Sequence, residues 1–138
     1  MRARLLSFIC AMVVSAAATP AAHHAFAAEF DSSKPVKFHG TVTKMLWVNP
    51  HAWIYVDVKK DDGSVEEWMI EAGTPNTLMR RGFTKESLQP GTEIVVDGYQ
   101  AKDGARRANG RDVTLPDGKV LFLGSSDTGA PGANGAKK

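Results

Sequence analysis

The chain has 138 residues, is 43% hydrophobic and 23% charged, and carries a formal net charge of +2. Arg2 and Arg4 account for the whole excess of basic residues, 17 against 15 acidic, so the rest of the chain is near neutral, which argues against a nucleic-acid or anionic-membrane binder. Cys10 is the only cysteine, which excludes a disulfide framework and, once the leader is removed, a thiolate metal site.

Residues 1–22 read as a secretory signal peptide: a basic start at Arg2 and Arg4, an apolar run from Leu5 to Val14, and an A-x-A site at Ala16-Ala17-Ala18. The apolar run falls short of the roughly 20 residues a permanent span needs. Ile9 stands before Cys10 where a lipoprotein signal wants a small residue. The expectation is a periplasmic protein with no stable membrane anchor. Residues 23–35 then form a segment expected to dock on the domain, 36–124 the domain itself, and 125–138 (SSDTGAPGANGAKK) a flexible tail without large apolar residues.

Five strand-like regions occupy the middle. The first runs from Val36 to Val48, with Val36, Phe38, Gly40 and Val42 alternating. In the second, Ala52 to Lys60, Ile54, Val56 and Val58 oppose Trp53, Tyr55 and Asp57. The third, Val65 to Ala72, sets Trp68 and Ile70 against Met69 and Glu71. The fourth is Glu93 to Ala101, and the fifth region, Arg107 to Leu123, is split into a hairpin by Pro116-Asp117-Gly118. Asn49-Pro50, Asp61-Asp62-Gly63 and Pro90-Gly91 punctuate the rest. Between the third and fourth strands, TPNTLMRRG (74–82) carries a Thr N-cap, Pro at the first helical position, basic residues in the last turn and a Gly stop. The order β-β-β-α-β-β predicts an all-β domain with one short helix, folded as a five-stranded OB-fold-like barrel. Gly40 suits the bend that such a barrel puts into a long first strand.

The segments HHAFAAEFD (23–31), GTVTKMLWVNPHAWIYVDV (40–58), EAGTPNTLMRRGFT (71–84), LQPGTEIVVDGYQAKDG (88–104) and ANGRDVTLPDGK (108–119) resemble a family of small proteobacterial periplasmic proteins, a domain of unknown function. The resemblance covers nearly all of the chain after the leader. It implies export and a β-rich OB-like domain, and it brings no activity and no catalytic residues.

Catalytic patterns are lacking: there is no Cys-His pair once the leader is removed, no nucleophile elbow and no phosphate-binding glycine loop. Glu66, Glu67 and Glu71 read as a solvated surface. The histidines carry more. With thiolate absent, imidazole and thioether are the softer donors left, a set that suits copper best, with nickel or zinc as alternatives. His23 and His24 sit at the processing boundary. Cleavage after Ala21 puts His24 third, in a square-planar nitrogen set for Cu(II) or Ni(II). Cleavage after Ala22 makes His23 the chelating terminus, cleavage after Ala18 removes both arrangements, and cleavage after Ala27 discards the pair. His51 shares strand parity with Trp53 and Tyr55, and Met69 faces the same way on the neighbouring strand, giving one outward patch on the strand 2–3 face that OB-folds use for ligands. His39 reads as a surface residue.

Phe26 and Phe30 are expected to cover the Trp53-Tyr55 patch and to bring His23-His24 near His51. The function expected is a non-enzymatic periplasmic small-ligand binder, a copper-type metal carrier through His23, His24, His51 and Met69. The alternative is a metal-free module that holds an envelope protein or ligand on the aromatic face of Trp53 and Tyr55.

Overall fold

A computed structural model gives the fold, and it describes residues 26–124. A helical turn over residues 26–29 (α1) leads into β1 (Phe30–Leu46), followed by β2 (Trp53–Lys59), β3 (Val65–Glu71), α2 (Pro75–Arg80), β4 (Glu93–Ala101), β5 (Arg107–Thr114) and β6 (Val120–Phe122). The strands form one sheet in the order β3-β2-β1-β4-β5-β6, and a further parallel pairing of β3 with β5 closes five of them into a barrel-like ring. All other neighbours are antiparallel. The ring order β1-β2-β3-β5-β4 with a helix between β3 and β4 is OB-fold-like, as the punctuation predicts. Among the described residues no helix is long and apolar enough to cross a membrane.

Alternation explains the interior. Ile54 and Val56 of β2, Ile70 of β3, Ile94 and Val96 of β4, and Ala108 and Val113 of β5 are fully buried in one cluster with Leu78, Phe83, Leu88 and Leu123. Apart from the single methyl of Ala108, each such side chain contributes about 1.5–3 kcal/mol on burial. An exposed ion pair such as Lys60–Glu66 is worth about 0–1 kcal/mol, so the interior dominates stability. Gly40 lies where β1 packs tightly on β2: a Cβ there would stand 2.4 Å from Val56 Cγ1 and 2.7 Å from the Asp57 carbonyl oxygen. A register irregularity between Val42 and Lys44 follows it.

Helix α2 forms as its sequence dictates. Thr74 Oγ1 accepts from the Thr77 backbone N–H, Pro75 fills the first turn, and Gly82 ends the segment at φ +79. Two boundaries differ from the sequence expectation. The strand β1 starts at Phe30 rather than Val36, because the polar DSSKP stretch, which lacks alternation, is carried by Phe30 pairing with Ala101 and Pro35 pairing with Tyr99. A second helical turn precedes it at 26–29.

Candidate functional site

The loop between β1 and β2 delivers His51 to the end of β3. Ala52 donates its N–H to the Gly73 carbonyl and accepts from the Ala72 N–H, which fixes the residue after the histidine against the β3 terminus. There His51 Nδ1 contacts Glu71 Oε1, with side chains 21% and 8% exposed. A carboxylate so nearly sealed from water is costly unless it is paired, and His51 is the partner. With the carboxylate accepting, Nδ1 carries the proton and the chemistry of the ring falls to Nε2.

Glu71 belongs to a row of outward-facing residues in register across four strands: Trp53 on β2, Glu71 on β3, Asn109 on β5 and Tyr99 on β4. Asn109 is buried at 3% exposure. The cover at the Tyr99 end is the N-terminal segment. Phe26 meets Tyr99 edge-on at 5.6 Å and stacks on Phe30 at 5.8 Å, and both phenylalanines bury Ala101. Arg107, the register partner of Met69, lies over the Phe30 ring at 5.9 Å and within 3.8 Å of Glu29.

These positions revise the expected patch. Phe26 and Phe30 cover Tyr99 and Ala101, not Trp53 and Tyr55, because the small Ala101 beside Tyr99 leaves the hollow they fill. Tyr55 instead has the Lys44 ammonium 4.2 Å from its ring centre. Trp53 and Tyr55 do share the outer face of β2, both half-buried. Met69 stands opposite Tyr55 and two residues before Glu71 on β3. His39 is exposed, with Nε2 4.0 Å from Glu93. His23 and His24 lie outside the described residues, as do the leader and the tail. Among the described residues no three His, Cys, Asp or Glu side chains converge as a metal set.

Glu71 is the residue that alternation alone misreads. Its parity is outward, and with Glu66 and Glu67 on the same strand it looks solvated. The usable signal was its register opposite the start of β2, where His51 enters. The arginines also resolve. Arg81 donates to the Gly124 carbonyl and lies 4.4 Å over the Phe122 ring, and burial pushes its guanidinium pKa down. Arg111 pairs with Asp112 at 2.8 Å, which raises its pKa.

A family model described as a family of unknown function (DUF6152) matches residues 11–110. No curated protein matches the chain.

Proposed function

Given that the chain belongs to the DUF6152 family, whose function is unknown, we propose from its own residues that it is an exported, non-enzymatic periplasmic protein that binds a copper-type metal ion. The observation that carries this reading is the His51–Glu71 pair. A carboxylate on Nδ1 is the outer-shell arrangement that fixes the tautomer and plane of a ligating histidine and raises its basicity. It makes Nε2 the coordinating atom. His23 and His24 supply the further imidazoles. Phe26 rests on Tyr99, two strand spacings or about 10 Å from Glu71 in register. His24 precedes Phe26 by two residues in the sequence. Glu71 acts through His51 rather than on the metal, with Met69, two residues before it on β3, as the thioether donor. Coordination requires deprotonated imidazole nitrogens, so uptake releases protons and weakens on acidification.

Competition titration with Cu(I) and Cu(II), on protein isolated from the periplasm, tests this. The expected result is sub-micromolar binding, weakened at least tenfold in His51→Ala and about 10–100-fold in Glu71→Gln. Equal affinity in all three proteins, or affinity no better than that of an unstructured histidine peptide, contradicts the reading.

A second reading, a metal-free module for an envelope partner, is favoured by the half-buried Trp53 and Tyr55 on one face with Lys44 over the tyrosine ring. On that reading, a photo-crosslinker at Trp53 captures the same envelope protein whether or not a chelator is present, and His51→Ala leaves the capture unchanged.

A further inference from the structure

Away from the His51–Glu71 pair, a polar hollow lies on the outside of the sheet where β1, β4 and β5 run side by side. It encloses about 210 Å³ and is lined by residues 35–37 of β1, 97–99 of β4 and Arg111 of β5. Two strand irregularities border it. The register of β1 against β4 jumps between Phe30 and Pro35. On β5, Gly110 pairs with Gly98 and Asp112 with Asp97, which leaves Arg111 as the extra residue. Such a bulge breaks strand parity and re-aims a side chain. The break shows in burial: Ala108 and Gly110 are buried before it, and Val113 after it. Arg111 is thereby turned out to the hollow.

The charges in the hollow have a definite order. The Asp97 carboxylate lies between two cations, Lys37 Nζ at 3.5 Å and Arg111 Nη2 at 4.0 Å. Both distances are longer than the about 2.7–2.9 Å of a charge-assisted N–H···O bond, although the Asp97 side chain is only 20% exposed. A carboxylate so poorly solvated gains from a closer donor. Arg111 Nε is already engaged, 2.8 Å from Asp112. Lys37, Arg111, Asp97 and Asp112 together cancel in charge. An added anion would meet the two carboxylates, and an added cation the two basic groups. A ligand that carries both charges and no net charge opposes neither. The volume lies below the about 300–1,000 Å³ of sites for drug-sized ligands, so the occupant is small.

We infer that the hollow is a binding site for a small zwitterion of the α-amino-acid class. The ligand ammonium donates to the Asp97 carboxylate. The ligand carboxylate accepts from the outer nitrogens of Arg111 and from Lys37 Nζ. A short side chain rests against Pro35 and the Tyr99 ring, which are register partners on β1 and β4. The site uses neither His51 nor a metal, so it stands or falls apart from the function proposed above.

Titration of the chelator-treated protein with L-alanine, followed by amide NMR, tests this. Saturable shifts are expected at Val36, Gly98 and Tyr99, while the core amide of Ile54 stays in place. Acetate and methylamine, which each carry one of the two charges, should bind at least about tenfold more weakly than L-alanine. Asp97→Asn should weaken L-alanine by at least about tenfold and strengthen acetate, because it removes the acceptor of the ammonium and the repulsion of the anion together. Loss of the fold would weaken both ligands, so the opposite signs separate a charge effect from a structural one. Arg111→Gln should weaken L-alanine and acetate alike. L-alanine shifts that do not saturate, acetate binding as tightly as L-alanine, or an Asp97→Asn variant whose L-alanine affinity is unchanged overturns the inference.

Discussion

Glu71 ends β3 with a carboxylate that water barely reaches, and His51 is what makes that placement tolerable. Removing the imidazole leaves a poorly solvated charge behind, which costs more than the pair itself contributes. His51→Ala should therefore lower stability by about 2 kcal/mol in urea unfolding, a figure reduced from the fully buried case because the imidazole retains some solvent. Adding Glu71→Gln to it should recover part of that loss, since a neutral amide tolerates the site better. Additive losses in the double variant would show that the two side chains are not coupled. This pair was half legible in the sequence. Parity placed His51 on an outward face, and the surplus of histidine without thiolate made it a candidate ligand. Glu71 was not legible, because its burial comes from neighbouring strands and loops that alternation does not encode.

Turns and strand crossings form the next scale. In the β2–β3 turn, Asp62 accepts from the Ser64 hydroxyl at 2.6 Å and from its backbone N–H at 2.9 Å. Those bonds hold the Asp62 carboxyl below the usual aspartate range. A carboxylate whose pKa is depressed by folding contributes stability that is present above the unfolded value and lost as pH falls through the folded one. Ser33 does the same for Asp31. Lys60 leads the depression of Glu66, with Arg106 adding charge. Stability should thus be flat near neutrality and erode in acid. Ser64→Ala, which keeps the N–H and deletes the hydroxyl, should move the Asp62 titration upward in an NMR pH series; no movement would mean that the hydroxyl is not the main cause. At the β4–β5 crossing, a Cβ on Gly98 would stand 2.3 Å from the Asn109 carbonyl oxygen. That atom is backbone and cannot rotate away. Gly98→Ala should cost about 3 kcal/mol, and a loss under about 1 kcal/mol would mean that the strands part more easily than this packing allows.

At the scale of the whole molecule, the strand sequence was legible because each strand carries its own alternation and each turn its own Gly, Pro or Asp. The helix was legible from Thr74, Pro75 and Gly82. With a helix between the third and fourth strands, the ring followed. Closure through the parallel β3–β5 pairing leaves no local mark, since backbone bonds between distant strands need no particular side chain. The early start of β1 left none either, for DSSKP looks like a linker until β4 lies beside it. The same holds for Phe26 and Phe30: their apolarity announced docking, but only the hollow at Tyr99 and Ala101 fixed where. That location sets Phe26 on Tyr99, in the same register row as Asn109 and Glu71.

The most direct measurement is electron paramagnetic resonance of the Cu(II)-loaded protein from the periplasm, with nitrogen couplings resolved. Several imidazole nitrogens are predicted in the wild type, with one set lost in His51→Ala and the geometry perturbed but the count retained in Glu71→Gln. A spectrum that His51→Ala leaves unchanged would contradict the assignment of His51 as a metal ligand.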